Sequence, residues 1–399
     1  MTLAKKVIPA VVFASGLVLV IVVAKRVRTG SELEAGSQTA VEAPSMQTPQ
    51  SWPMFGANTG LTAAVEGSLP DSLELIWRFR TGGVVKSPPV IEDGLVFAGS
   101  ADANVYAIEA ASGEQVWAYP TGDEVEAAAC VAEGMVFVGS ADGFFYAIDA
   151  KTGVLKWRYE TGGKILGAAN RTRSADANET WLVFGSYDSK LYCLNSADGR
   201  FVWSYDTDNY VNGAPAVGEG KAVCGGCDAI VHVVSLADGN NAGRIDSGSF
   251  IAASAAIYGG RVYVGNYDGV FLCADISSGE IVWRYGDGET TYFSSPAVTK
   301  EFVIFGGRDK RLHCVDRAGG EVVWTFDALG DVDSSPAVCG DKVVFGAEDG
   351  RVYMARLADG TGVWWYEIGK AVTSSPAVAG GLVVVGSDDG YVYAFGVRR

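Results

Sequence analysis

Short runs of alternating apolar and polar residues, broken by Gly and Asp, dominate this chain from about residue 51 onward. The last such unit shows the pattern: Ser374–Val378 reads SSPAV, Leu382–Ser387 reads LVVVGS, and Tyr391–Phe395 reads YVYAF. A fourth run, as in Val154–Tyr159, completes the unit in earlier copies. Alternation over four to eight residues between tight-turn residues is typical of β-strands. The pattern therefore predicts units of four short strands.

The unit recurs eight times, at a period close to 40 residues. A turn aspartate marks every copy: Asp102, Asp142, Asp188, Asp228, Asp268, Asp309, Asp349 and Asp389. A tryptophan in the fourth strand follows the same rhythm, with one gap at Gly243: Trp77, Trp117, Trp157, Trp203, Trp283, Trp324 and Trp364. Four strands per unit at this period predict an all-β, eight-bladed β-propeller over residues 51–399.

The two ends of the repeat array are complementary. The last unit stops before its tryptophan strand, whereas the strand around Trp77 has no three strands before it. We therefore expect the N-terminal strand to complete the last blade, which would close the ring and remove free sheet edges. One repeat step is 46 residues long, and its extra residues, between Asn170 and Trp181, predict a surface loop.

The N-terminus has a different character. Val7–Ala24 contains no charged residue, is flanked by lysine and arginine, and would span roughly 27 Å as a helix. We interpret residues 1–28 as an uncleaved membrane anchor with a helix at about 7–24, and residues 29–50 as a flexible linker. A cleaved signal peptide is the alternative. With the anchor retained, the expected location is a single-pass membrane protein whose propeller lies outside the cytoplasm, periplasmic or extracellular.

Charge excludes one class of partner. Beyond residue 50 the chain carries 26 basic and 44 acidic residues. Such an acidic body repels phosphate backbones, so we expect no nucleic-acid binding.

The tryptophan strands also carry a family resemblance. Ala147–Trp157 (AIDAKTGVLKW) and Cys273–Trp283 (CADISSGEIVW) resemble the tryptophan-docking repeat of the PQQ-like, or quinoprotein-type, β-propeller family. Trp52–Asn58 (WPMFGAN) resembles the opening strand of the same proteins, which include BamB-like outer-membrane assembly factors. The resemblance implies either of two functions: a scaffold that binds protein, or a dehydrogenase that holds pyrroloquinoline quinone (PQQ) with Ca²⁺.

The residues favour the scaffold over the enzyme. The quinoprotein dehydrogenases imply a base aspartate and a pair of adjacent cysteines, and the seven cysteines here include no adjacent pair. The eight aspartates share one turn, where an aspartate caps backbone N–H groups, so we assign them a structural role. Cys224 and Cys227 form a CxxC that runs from a strand into a turn, and His232 and His313 replace a framework tyrosine. We predict no catalytic, cofactor-binding or metal-binding residue.

Comparison of the eight copies indicates where recognition occurs. Before each inner strand, an apolar residue such as Val85 is flanked by residues that differ from copy to copy. Strand alternation sends those flanking residues toward the channel mouth or the ring surface. The candidate partner-binding ring drawn from them is Lys86, Glu126, Tyr210, Asn212, Phe250, Phe293 and Asp333. The predicted function is a membrane-tethered, non-catalytic scaffold for protein or polymer partners of the cell envelope, with outer-membrane protein assembly as one setting. The alternative is a PQQ-dependent dehydrogenase acting on alcohols or sugars.

Overall fold

The computed structural model describes residues 50–174, 176–286 and 288–398. The predicted anchor at 1–28 and all of the predicted linker except Gln50 lie outside these residues. Within them, no helix is long and apolar enough to cross a membrane. The described chain is an all-β propeller of eight blades, as the repeat predicts.

Each blade has four antiparallel strands that run outward from the channel, and in blade 7 Ala64–Val65 adds a fifth strand, parallel to the inner one. Two strands precede the first blade: β1 (Ala64–Val65) and β2 (Glu74–Arg80). Blade 1 contains β3 (Val90–Glu92), β4 (Leu95–Ser100), β5 (Asn104–Glu109) and β6 (Gln115–Pro120). Blade 2 contains β7 (Cys130–Ala132), β8 (Met135–Gly139), β9 (Phe144–Asp149) and β10 (Leu155–Glu160). Blade 3 contains β11 (Asn170–Arg173), β12 (Thr180–Ser186), β13 (Lys190–Asn195) and β14 (Phe201–Asp206). Blade 4 contains β15 (Ala216–Gly218), β16 (Lys221–Gly225), β17 (Ile230–Ser235) and β18 (Asn241–Asp246).

The second half of the ring repeats this order. Blade 5 contains β19 (Ala256–Tyr258), β20 (Arg261–Gly265), β21 (Phe271–Asp275) and β22 (Ile281–Tyr285). Blade 6 contains β23 (Ala297–Val298), β24 (Phe302–Gly307), β25 (Arg311–Asp316) and β26 (Val322–Asp327). Blade 7 contains β27 (Ala337–Cys339), β28 (Lys342–Gly346), β29 (Arg351–Arg356) and β30 (Gly362–Glu367). Blade 8 contains β31 (Ala377–Ala379), β32 (Leu382–Gly386) and β33 (Tyr391–Gly396).

The N-terminal strand closes the ring, as predicted. Strand β2 pairs antiparallel with β33 and becomes the fourth strand of blade 8, with Trp77 opposite Ala394. A belt of buried serines also crosses this seam, since Ser374 Oγ donates to the carbonyl of Ser87 at 3.1 Å. These serines belong to the connections that line the channel, so the inner strand of the last blade begins at Ala377, later than the sequence pattern suggests.

The core lies in the two middle strands of each blade. Strand β12 is buried along its whole length, whereas the outer strand β10 alternates between half-buried and exposed residues. Every outer strand has a bulge at the residue before the tryptophan position, as between Leu155 and Trp157. A bulge re-aims the side chain that follows it. The docking residue that follows it contacts both its own blade and the next one, as Trp117 does with Phe97 and Gly153.

Candidate partner-binding face

One end of the propeller, here called the channel face, is built from two loops of every blade. The first loop connects the outer strand of one blade to the inner strand of the next, and the second joins the two middle strands. A backbone hydrogen bond ties the two loops together in all eight blades, as from the Tyr187 amide to the Lys164 carbonyl at 2.8 Å. The variable residues of both loops therefore lie side by side on one surface.

In the connecting loop, the middle residue packs inward and its two neighbours face outward, as strand alternation predicts. All eight middle residues are buried: Val85, Val125, Ile165, Val211, Ile251, Tyr292, Val332 and Val372. Five members of the predicted ring directly follow one of these middle residues. The other two, Tyr210 and Phe250, directly precede one. Of the seven predicted residues, Lys86, Tyr210 and Phe250 are exposed, and Glu126, Asn212, Phe293 and Asp333 are half-buried.

The structure adds a third variable position that the sequence analysis missed. It is the residue before each turn aspartate: Ala101, Ala141, Tyr187, Cys227, Tyr267, Arg308, Glu348 and Asp388. Its amide makes the hydrogen bond that joins the two loops. The signal was present in the sequence, because this position holds six different residue types in eight copies and stands beside an aspartate that never changes.

Aromatic side chains form an arc across blades 3 to 6. The rings of Tyr187 and Tyr210 stack with centroids 4.8 Å apart. Tyr267 meets Phe293 edge-on at 5.1 Å. Tyr210, Phe250 and Tyr267 are 48%, 54% and 48% exposed, respectively. Exposed aromatic rings that lie together are typical of protein-binding surfaces, because they bury a large area at a low entropic cost. We call these five residues the aromatic arc.

Carboxylates dominate the rest of the channel face. Its variable positions hold six acidic residues and three basic ones: Glu124, Glu126, Asp331, Asp333, Glu348 and Asp388, with Lys86, Lys164 and Arg308. Two of the cations are already paired, Lys86 with Glu126 at 3.1 Å and Arg308 with Asp333 at 2.7 Å. Arg308 also lies over the ring of Phe293, at 3.9 Å from its centroid. The aromatic arc thus continues directly into the acidic side.

Two of these carboxyl groups titrate above their ordinary range. Partial burial, together with the neighbouring carboxylates of Asp333 and Asp331, raises the pKa of Glu348. Burial also raises the pKa of Asp388, although Lys86 opposes the shift. Burial is the main cause of both shifts, and neighbouring carboxylates add to the shift at Glu348.

Residues 52–63 close the opposite end of the channel, and we call them the plug. Trp52 exchanges two backbone hydrogen bonds with Ile91, and the carbonyl of Gly60 accepts one from Ile257. The resemblance predicts an opening strand at Trp52–Asn58, but apart from the bridge at Trp52 these residues form turns and bends. Seven of the blades carry apolar residues such as Ile91 at the second position of the inner strand, while blade 3 carries Arg171. Its Asn170 amide reaches the plug instead, donating to the Thr59 carbonyl at 2.7 Å.

The channel residues do not fit the quinone and calcium ion that the dehydrogenase alternative implies. The cavity above Phe55 of the plug has a volume of about 140 Å³, and pockets for cofactor-sized ligands are usually about 300–1,000 Å³. Glu126 is the one carboxylate among its lining residues, and Lys86 pairs with it. Within the described residues, no three His, Cys, Asp or Glu side chains converge as metal ligands would.

The turn aspartates hold adjacent blades together. Asp102 accepts hydrogen bonds from the Asn104 amide at 3.0 Å, from the Tyr106 hydroxyl at 2.6 Å and from the Gly82 amide of the preceding connection. In seven blades the partner four residues on is Tyr or His, including His232 and His313, whose Nε2 atoms lie 2.7 and 3.1 Å from Asp228 and Asp309. In blade 5 that residue is Leu272, and Asp268 is exposed to solvent.

The docking tryptophans pack against the next blade. Trp117 packs on Gly153 and donates from Nε1 to the Ala150 carbonyl at 2.9 Å. The same bond forms at Trp77, Trp157, Trp203, Trp283 and Trp324. Trp364 differs: its indole packs on Phe395 of blade 8, with the ring centroids 5.3 Å apart.

The cysteines are all free thiols, and six are buried. Burial raises the pKa of Cys224 to about 12. Cys227 lies on the channel face, where its sulfur accepts a hydrogen bond from the Asn212 amide at 3.0 Å.

Several solved structures share this architecture. The chain is 18% identical to BamB from Moraxella catarrhalis, with a TM-score of 0.67 over 82% of this chain and all of that one. It is 14% identical to the quinohemoprotein alcohol dehydrogenase from Comamonas testosteroni, with a TM-score of 0.74 over 88% of this chain and 81% of that one. The computationally designed protein Ika8 gives a TM-score of 0.70 at 19% identity, over 81% of this chain and all of that one. At these identities the likeness concerns the fold.

No curated protein matches the chain significantly in sequence. The sequence profile of one family does match, under the description outer membrane protein assembly factor BamB. It aligns four times, with residues 70–184, 172–242, 227–312 and 308–398. Together these alignments cover the ring from its closing strand to its last strand, and the chain therefore belongs to the BamB-type family of PQQ-like repeat propellers.

Proposed function

We propose that this chain is a non-catalytic scaffold that holds a protein partner on its channel face. The aromatic arc carries the proposal, because it places two ring pairs, Tyr187–Tyr210 and Tyr267–Phe293, and the exposed Phe250 on one face. The plug closes the channel beneath it, so a partner would rest on this surface instead of threading through the ring. Assembly of outer-membrane proteins, the role in the family's description, is a setting that suits such a scaffold.

The charge of the channel face indicates the chemistry of the partner. Carboxylates outnumber cations two to one at its variable positions, and Glu348 and Asp388 titrate high. A partner surface with apolar side chains flanked by lysine or arginine would complement both the aromatic arc and the acidic side of the channel face. Binding would then weaken as salt concentration rises, because salt screens the charged half.

The direct test is capture of partners by the full chain crosslinked in native membranes. The variant carries Tyr210→Ala, Phe250→Ala and Phe293→Ala, and the control carries Phe201→Ala, which removes a side chain 47% exposed on the outer strand β14. We expect the triple variant to lose at least tenfold in captured partner and the control to capture as the wild type does. Equal capture by the triple variant would contradict the proposal.

The dehydrogenase alternative is tested separately. Wild-type protein is mixed with PQQ and Ca²⁺, and the absorbance spectrum of the quinone and dye-linked oxidation of alcohols and sugars are measured. We expect neither a spectral change nor turnover, since the channel residues do not fit the cofactor. A stoichiometric spectral change with turnover would favour the enzyme.

We further propose that residues 7–24 anchor the propeller to a membrane outside the cytoplasm. The support is the charge-free run of 18 residues in the sequence. The full chain should resist carbonate extraction from membranes, and Leu17→Lys with Leu19→Lys should release it. Protease added outside intact inner membranes should reach the propeller; protection there would contradict the proposed side.

A further inference from the structure

The outer strand of blade 4 departs from the repeat at one side chain. Strand β18 carries Gly243 where seven other outer strands carry tryptophan. Its register is unchanged: Gly243 lies opposite Val233, with the same bulge as in the other blades. The glycine therefore removes an indole ring without moving the strand that would have carried it.

The six docked tryptophans define what a docking slot contains. Each slot has a glycine with positive φ in the following blade, on which the indole packs, and a carbonyl three residues earlier that accepts the Nε1 hydrogen. These hydrogen bonds measure 2.8–3.1 Å. A Cβ placed on the slot glycines would stand 2.6–2.8 Å from indole atoms, as at Gly113 beneath Trp77. Only glycine permits both that approach and the left-handed backbone.

Blade 5 keeps both parts of the slot that faces Gly243. Gly279 has a φ of 76°, and Ile276 stands three residues before it, where the other slots place the accepting carbonyl. The nearest atom to a Cβ on Gly279 is the Arg244 carbonyl oxygen, at 3.7 Å, followed by Ile245 at 3.9 Å. On the facing strand, a Cβ on Gly243 would meet only the Val233 side chain, at 3.5 Å. The slot is thus open where the other slots are filled by an indole.

The slot is also accessible from solvent. Asn241, Ala242 and Arg244 on one side, with Ser277 and Ser278 on the other, are exposed, and Ile245 and Ile276 form a buried apolar base. It lies on the outer perimeter of the ring between blades 4 and 5, away from the channel face. A ligand here would not compete with the partner proposed for the aromatic arc.

We propose that this slot binds a tryptophan side chain presented by another protein. The six filled slots show that the same glycine floor and carbonyl accept an indole, with its N–H pointing inward. An indole gains apolar burial and one hydrogen bond, whereas a phenylalanine ring of similar shape gains the burial alone. The slot therefore selects tryptophan over other aromatic residues.

The test uses N-acetyl-5-fluorotryptophanamide as the probe and the broadening of its fluorine NMR signal as the readout. The full chain is compared with Gly243→Trp, which fills the slot from within, and with the control Gly243→Ala, which has room for its methyl and leaves the slot open. We expect saturable broadening with wild type and with Gly243→Ala, and at least a fivefold weaker effect with Gly243→Trp. Equal broadening with Gly243→Trp would overturn the proposal.

Two further measurements keep the proposal testable if Gly243→Trp folds poorly. On wild type, unlabelled N-acetyltryptophanamide should displace the fluorinated probe at a concentration at least threefold lower than N-acetylphenylalaninamide. Equal displacement would mean that the Ile276 carbonyl does not favour an indole over a phenyl ring, and this would overturn the proposal. If Gly243→Trp does fold, its Tm should rise by about 2 °C, because the ring fills a slot of matching shape. A lower Tm would show that the slot is not shaped for an indole.

Discussion

Trp77 Nε1 donates a hydrogen bond to the carbonyl of Ala110 at 2.8 Å. Trp77 lies on β2, the first tryptophan strand of the chain and the outer strand of the last blade, whereas Ala110 belongs to blade 1. This contact therefore ties the closing strand to blade 1, beside the β2–β33 pairing that closes the ring. Trp364, one blade earlier, packs on Phe395 instead of on a turn, so the two tryptophans provide a natural comparison.

Replacing Trp77 should weaken the whole ring. We expect Trp77→Phe to lower the free energy of unfolding by about 1 kcal/mol, since it removes a partly buried hydrogen bond. Trp77→Ala should cost about 3–5 kcal/mol, because it also removes a buried ring. Urea unfolding measures both. As control, Trp364→Phe should cost less than Trp77→Phe; the reverse order would contradict the docking role of Trp77.

The repeat made the blade number and the closure predictable, because the chain repeats both the residues and their spacing. The plug was not predictable in the same way. Residues 52–63 have no second copy to compare with, and they hold the inner strands largely through backbone atoms, which leave no sequence pattern. The third variable position, which contributes Tyr187 and Tyr267 to the aromatic arc, was missed because the neighbouring aspartate marked the turn as framework.

The turn aspartates should differ in importance according to their partners. Asp102→Ala removes an acceptor shared by Asn104, Tyr106 and Gly82, and we expect it to cost about 2 kcal/mol of stability. Asp268→Ala should change stability by less than about 0.5 kcal/mol, because Asp268 is exposed and blade 5 has Leu272 in place of the partner tyrosine. Thermal and urea unfolding of both variants test this. Equal losses would show that the turn, and not the bonded carboxylate, matters.

The Asp102 carboxylate should also contribute to acid sensitivity. Burial alone would raise its pKa, but hydrogen bonds from Tyr106, Gly82 and Asn104 outweigh burial and hold the pKa below its ordinary value. Its contribution to stability is then present above pH of about 4 and is lost as pH falls through the lowered pKa. The stability difference between wild type and Asp102→Asn, measured by urea unfolding from pH 6 to pH 2, should shrink toward the acid end. A difference that stays constant would exclude this linkage.

Glu348 should behave in the opposite sense. Its raised pKa means that the charged form is disfavoured in the folded protein, so its charge destabilises the fold at neutral pH and ceases to do so once pH falls below the raised pKa. We expect Glu348→Gln to raise stability at pH 7 by no more than about 0.5 kcal/mol, since solvent screens an exposed group. The gain should vanish at pH 4. Calorimetry of both proteins at pH 7 and pH 4 measures this gain. An equal gain at both pH values would show that the substitution acts independently of the charge of Glu348.

Asn170 should be the side chain that holds the plug to blade 3. It is fully buried, and its amide donates to the carbonyls of Thr59 and Pro215 at 2.7 and 2.9 Å. Asn170→Ala should cost about 2 kcal/mol, and Asn170→Asp should cost more at pH 7, because a carboxylate would face two carbonyl oxygens. Hydrogen exchange of residues 52–63 should accelerate in both. Unchanged exchange alongside lost stability would mean that Asn170 supports blade 3 alone.

The cysteines offer a chemical check on the interior of the ring. Six of the seven are buried, and burial raises the pKa of thiols such as Cys130 and Cys314 to about 12. Thiolates react and thiols do not, so these six should resist a disulfide reagent at pH 8 in the folded state. Cys227, half-buried on the channel face, should be the single thiol that reacts, and Cys227→Ser should abolish that reaction. Denatured protein should titrate all seven, because the fold leaves every sulfur unpaired; a count of five would reveal a disulfide between two of them.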